Sequence, residues 1–111
     1  MELNTREFKH CDLLEISGRL DSSTAPKLAE LLNSIMENGR YKIALDLSKV
    51  EFLSSAGLRV FVNTQKACKR YNRGEVVLAS VPSNIYSSLE LVGFTSLFKI
   101  FDDPITAVGN F

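Results

Sequence analysis

Three times along this chain a strand-like run gives way to an apolar stripe at helical spacing, and that alternation limits the fold more than any other feature. The clearest case is central. Ile43, Leu45 and Leu47 share one parity, the mark of a strand over 42–47. Leu58, Phe61, Val62 and Cys68 then recur at helical spacing, from a start near Ser54 or Ser55 to an end near Asn72-Arg73-Gly74. On that helix Gln65, Lys66, Lys69 and Arg70 are expected to face solvent. A strand followed by a helix and another strand returns over the sheet by a crossover, so the strands run largely parallel.

The same change of period occurs on either side. Leu14, Ile16, Gly18 and Leu20 alternate with Glu15, Ser17 and Arg19 as a half-buried strand, which residues 2–9 can join through a turn at His10-Cys11-Asp12. Asp21-Ser22-Ser23-Thr24-Ala25-Pro26 then opens a helix, because short polar side chains cap free N–H groups and proline suits a first turn. Its stripe is Leu28, Leu31, Leu32, Ile35 and Met36, and Asn38-Gly39 closes it. Val76-Val77-Leu78-Ala79 is apolar on both parities, a strand covered on both faces. Pro82-Ser83 opens a helix carrying Ile85, Leu89 and Val92, stopped by Gly93. Phe98-Lys99-Ile100-Phe101 is a short last strand, and Asp103-Pro104 caps a helix at 105–109. The predicted order is β-β-α-β-α-β-α-β-α: an α/β domain over residues 1–111 with a mostly parallel mixed sheet and an antiparallel edge strand.

Composition narrows the function. At 111 residues with 45% hydrophobic content the chain can build a real core. Lys plus Arg equals Asp plus Glu at 13 each, so no net field draws nucleic acid or an acidic membrane. No apolar run approaches a membrane span, and Met1-Glu2-Leu3-Asn4 lacks a signal pattern. Cys11 and Cys68 form no motif, which predicts buried thiols and a reduced, cytoplasmic setting. The single histidine, His10, falls in a turn, and one histidine with two scattered cysteines is too small a set for zinc. Phosphate-binding glycine loops are absent, and Ser54-Ser55-Ala56-Gly57 lacks the first glycine of a nucleophile elbow and a histidine base. The expectation is a protein that is not an enzyme, needs no cofactor, and is a monomer when free.

Two polar segments remain, Asp21-Ser22-Ser23-Thr24 and Ser54-Ser55, each placed after a strand and before a helix. In a parallel sheet such loops share the rim at the strands' carboxyl ends. If Ser54 is the cap, Ser55 is the first helical residue and its hydroxyl points outward. A phosphoryl group there adds about −1.5 to −2 charges. The helix end favours that charge by about 0.3–1 kcal/mol, and Arg59 lies one turn along the same face. Small Ala56 and Gly57 let a partner come near.

At these residues the chain resembles the STAS domains, and among them the free-standing anti-sigma factor antagonists of bacteria. Gly18-Arg19-Leu20-Asp21 is similar to the family's Gly-x-Leu-Asp segment. Leu45 to Leu58 is similar to its central strand, loop and switch, and Gly93-Phe94-Thr95-Ser96-Leu97-Phe98-Lys99-Ile100 to its closing segment. The resemblance implies a STAS-like fold and a partner-switching mechanism. The unmodified antagonist binds an anti-sigma factor that is also a serine kinase, and a sigma factor is released. Phosphorylation of a switch-loop serine separates the pair, and a metal-dependent phosphatase of the PP2C type reverses it. The matching serine is Ser55. The matching partner-binding rim is Asp21, Ser22, Ser23 and Thr24 with Leu53, Ser54, Ala56, Gly57, Leu58 and Arg59. Many members carry Asp-Ser-Ser-Gly or Asp-Ser-Ala-Gly here. This chain has Ser54 in place of the acid, which makes Ser54 a second candidate acceptor. Two other readings stand beside this one: an anion- or nucleotide-binding module using the two helix N-termini, and an unphosphorylated subunit of a larger sensory or transport complex.

Overall fold

The computed structural model describes residues 1–111. The elements are β1 (Glu2–Glu7), β2 (Asp12–Leu20), α1 (Ala25–Glu37), β3 (Lys42–Leu53), α2 (Ser55–Lys69), β4 (Glu75–Ala79), α3 (Ser83–Leu91), β5 (Lys99–Phe101) and α4 (Pro104–Gly109). A single 3-10 turn lies at Thr95–Leu97, and the turn at Arg70–Asn72 passes through left-handed backbone. The strands form one sheet in the order β1-β2-β3-β4-β5. β1 is antiparallel to β2 at the edge, and every other pair is parallel, as the alternation of elements predicts. No helix is long and apolar enough to cross a membrane.

Helices lie on both faces, which explains the apolar character of the central strands on both parities. On one face Leu28, Leu32 and Ile35 of α1, Phe61 and Cys68 of α2, and Ile85 and Leu89 of α3 pack over Leu14, Ile16, Ile43, Leu45 and Leu78. On the other face Ala107 of α4 sits on Leu13, Ala44, Val77 and Ala79. Small alanines on that side let the short helix lie close to the sheet. Gly39 and Gly93, at φ +80 and +75, make the left-handed turns that end α1 and α3.

β3 runs six residues beyond the predicted end at Leu47, and the reason lies in its register. The β2–β3 pairing goes from Glu15↔Asp46 to Ser17↔Lys49, then from Gly18↔Val50 to Arg19↔Phe52. At each shift β3 carries one extra residue, a bulge. The first bulge moves the buried parity from Ile43, Leu45 and Leu47 to Val50. A strand whose inward parity changes midway has no period of two to detect.

Two helix assignments are corrected. Gln65, expected in solvent, is 5% exposed. Its amide donates to the carbonyls of Val76 (3.0 Å) and Leu97 (2.7 Å) and accepts the Val76 N–H (2.6 Å). β5 pairs with β4 only from Val77 onward, so Gln65 stands in for the missing strand at Val76. Val92, expected on the inward stripe of α3, lies just past the helix end and is half exposed. Both cysteines are buried as expected, and burial pushes the Cys68 thiol up to about 11.

Candidate functional site

β2 and β3 are parallel and end side by side, with Leu20 paired to Leu53. Each is followed by a helix, so the Asp21–Thr24 loop and the start of α2 meet on one rim. The Ser54 N–H donates to the Leu20 carbonyl at 2.8 Å and ties the two segments together. Gly57 is buried directly against them.

The first segment is an ordered turn. The Asp21 carboxylate accepts the Ser23 N–H (3.0 Å), the Ser23 hydroxyl (2.7 Å) and the Thr24 N–H (3.2 Å). Those hydrogen bonds, led by the one from the Ser23 side chain, hold the carboxyl below its ordinary value. Asp21 therefore does the work of a cap, while Thr24 occupies the cap position without a capping bond of its own. The Thr24 hydroxyl faces back, donating to the Arg19 carbonyl at 3.0 Å and accepting the Asp21 N–H at 2.9 Å. Ser22 and Ser23 are exposed.

In the second segment the two serines divide their tasks. Ser54 is the N-cap of α2, with extended backbone, and its Oγ accepts the Gly57 N–H at 3.2 Å. Ser55 is the first helical residue and is exposed. Arg59, one turn on, is exposed as well. Leu53, Ser54, Ala56 and Leu58 are half-buried around them. His10 lies in the β1–β2 turn, which opens on the opposite rim, so no imidazole stands near the Ser55 hydroxyl.

One neighbour of the site went unread in the sequence. Phe52 is 39% exposed at the end of β3, with the Arg19 guanidinium 4.4 Å above its ring. The Glu51 carbonyl beside it accepts from the Asn84 side chain at 3.4 Å, bringing the start of α3 to the same rim. The bulges that hide this end of β3 from pattern reading also turn Phe52 outward.

Gly57, expected to leave room for a partner on the rim, is instead buried with its open side against Leu20 and Leu53, and it sets how closely the helix sits on the two strands. A Cβ there would lie 2.6 Å from Leu20 Cγ and 3.0 Å from Leu53 Cδ1. Gly57→Ala is expected to cost about 1–2 kcal/mol, less than a rigid clash because both neighbours are side chains. Urea unfolding should show the lowered midpoint with an unchanged slope.

Comparison with known proteins agrees with this fold. The family model described as "STAS domain" matches residues 2–107. An anti-sigma-B factor antagonist of Staphylococcus aureus is 31% identical over 87 residues, covering 78% of this chain and 80% of its own. Among solved structures, a Thermotoga maritima protein superposes with a TM-score of 0.90 at 24% identity, over 97% of this chain and 92% of that one. SpoIIAA, an anti-sigma factor antagonist solved in its unphosphorylated form, superposes with a TM-score of 0.83 at 10% identity, over 98% of this chain and 95% of that one. At such identities the structural likenesses establish the fold. The match of the family model from β1 into α4, over a sheet whose parallel strands deliver both polar loops to one rim, makes this chain a member of the STAS domain family.

Proposed function

We propose that this STAS domain is an anti-sigma factor antagonist whose docking rim is switched by phosphorylation of Ser55. The observation that carries the reading is the division of labour at the α2 start: Ser54 makes the cap bond, and Ser55 is left exposed beside it. A phosphate on Ser55 removes no bond that holds the fold. It lies on the positive end of the helix, within one turn of Arg59. A partner packed on Asp21–Thr24, Leu53–Ala56, Leu58 and Arg59 must pair or desolvate about −1.5 to −2 added charges, and docking weakens.

The partner in this reading is an anti-sigma factor that is a serine kinase, and a PP2C-type phosphatase restores the binding form. The relative from Staphylococcus aureus supports antagonism of an anti-sigma factor. A structural neighbour, SpoIIAA, is known in a phosphorylated form as well. The domain acts in the cytoplasm as a monomer when free, as a non-catalytic protein without a cofactor. Ser54 is the poorer acceptor, because modifying it breaks the bond to the Gly57 N–H. The anion-binding alternative is disfavoured by Asp21, whose carboxylate already fills the N–H groups of its turn and repels a second anion.

The test uses Ser55→Ala as bait in a lysate of the source cells, followed by titration of the captured kinase. Ser55→Ala should retain an ATP-binding serine kinase. Ser55→Asp should bind it about 1–3 kcal/mol more weakly, or roughly 5- to 150-fold. Equal affinities for the two variants would refute the switch.

A further inference from the structure

The formal charge of zero hides a strong asymmetry. The segments 8–11, 38–42 and 69–74 lead into the parallel strands β2, β3 and β4, so all three open on the rim opposite Ser55. Together they carry six cations, Lys9, Arg40, Lys42, Lys69, Arg70 and Arg73, with the only histidine, and no Asp or Glu. The rest of the chain therefore holds 13 − 6 = 7 Lys and Arg against 13 Asp and Glu, a net of −6. The carboxylates bordering this rim are largely engaged. Asp12 is buried on Arg40 at 2.6 Å, Glu7 lies 3.7 Å from Arg40, and Glu75 pairs with Lys99 at 3.1 Å. Glu37 sits at the margin, at the end of α1.

The rim also holds a strained, outward-facing aromatic. Tyr71 and Asn72 adopt φ +60 and +56, consecutive left-handed residues that are not glycine. Tyr71 is 80% exposed, with the Arg70 and Arg73 guanidinium groups 5.5 and 5.8 Å from its ring. Arg73 is fixed beneath it, stacked on Tyr41 at 3.9 Å and donating to the carbonyls of Ala67 (2.6 Å) and Arg70 (3.1 Å). Arg40 is likewise committed to Asp12 and to the Phe8 and Cys11 carbonyls. The two arginines are scaffold. The exposed cations Lys9, Lys42, Lys69 and Arg70 sit on long flexible stems across the three strand approaches.

We propose that this rim is a second docking surface, for an acidic segment of another protein carrying an apolar side chain that packs on Tyr71. Scattered flexible cations suit an extended anionic chain better than a single small anion, which needs converging donors. An exposed tyrosine bracketed by arginines is the composition of a protein-interface anchor. Being at the other end of the strands from Ser55, the surface is available in both states of the switch, so two partners can be held at once.

Two labelled heptapeptides test this by fluorescence anisotropy at about 50 mM NaCl. One is all glutamate, and the other is glutamate with a single phenylalanine at its centre. The intact protein should bind the phenylalanine peptide about threefold or more tightly than the all-glutamate peptide. Lys42→Glu with Lys69→Glu should weaken both at least about tenfold, while Lys27→Glu with Lys49→Glu, the same charge change elsewhere, leaves both unchanged. Tyr71→Asn, which suits the left-handed backbone, should erase the preference for phenylalanine. Circular dichroism confirms that each variant is folded. Absence of binding, equal loss in the two charge pairs, or a preference surviving Tyr71→Asn overturns the proposal. An oligothymidine that binds more tightly than either peptide overturns it in favour of nucleic acid.

Discussion

Gln65→Leu should lower stability by about 3 kcal/mol, although glutamine and leucine differ little in bulk. The amide satisfies three backbone groups at once, the Val76 N–H, the Val76 carbonyl and the Leu97 carbonyl. Leucine leaves them without partners in a buried setting. Each such group costs about 1–3 kcal/mol, partly recovered by relaxation and by the added apolar burial. For a domain of this size the melting temperature should fall by roughly 10 °C or more. Calorimetry measures the shift, and a change under about 2 °C would show that the strand surrogate is dispensable. Amide exchange at Val76 should accelerate in the same variant, since its N–H loses its only acceptor on the β5 side.

Gly74→Ala is expected to be as damaging for a different reason. Gly74 precedes β4, and a Cβ built on it would fall on the Tyr41 carbonyl of the neighbouring strand entry. The obstacle is backbone, which cannot turn aside as Leu20 and Leu53 can at Gly57. Either β4 shifts against β3 or the left-handed turn at Arg70–Asn72 opens. A cost of about 3 kcal/mol follows from overpacking without a rotamer escape. Urea denaturation of Gly74→Ala beside Gly57→Ala should show the larger loss at Gly74. The reverse order would mean that the loop before β4 is freer to move than the rim beneath Ser55.

The contrast between these sites shows where sequence patterns were readable. Leu14, Leu28, Ile43 and Phe61 all sit in regular elements against the main core, and their spacing alone identifies their faces. The caps Ser54 and Asp103 were readable for a similar reason: a cap is a local device, set by residues within one turn. Gln65 was hidden because its burial depends on β5 beginning one residue too late to pair with Val76, a fact decided more than thirty residues away. Phe52 was hidden because two bulges in β3 answer to the pairing with β2 and leave no continuous period through the second half of β3. The shared rim was legible once parallel order was inferred, whereas the bond from the Ser54 N–H to the Leu20 carbonyl needed coordinates.

The division between a structural serine and a modifiable one extends to other positions in this chain. Asp103 caps α4 by accepting the Thr106 N–H at 2.8 Å, and its carboxyl is held below the ordinary value first by that bond. Asp21 plays the same part before α1. In each case the side chain that satisfies the helix end is spent, and the residues beside it are free for contact. Ser55 is the one such residue that combines a hydroxyl, the first helical position of a long helix and an arginine one turn along.

The central claim is that charge on Ser55 changes docking and leaves the fold alone. The most direct test is this domain with phosphoserine installed at position 55, compared with the unmodified protein in thermal melts and in titration against the captured anti-sigma kinase. The predicted result is a melting temperature within about 2 °C of the unmodified protein and an affinity lower by roughly 5- to 150-fold. Unchanged affinity, or an affinity lost together with the fold, would contradict it.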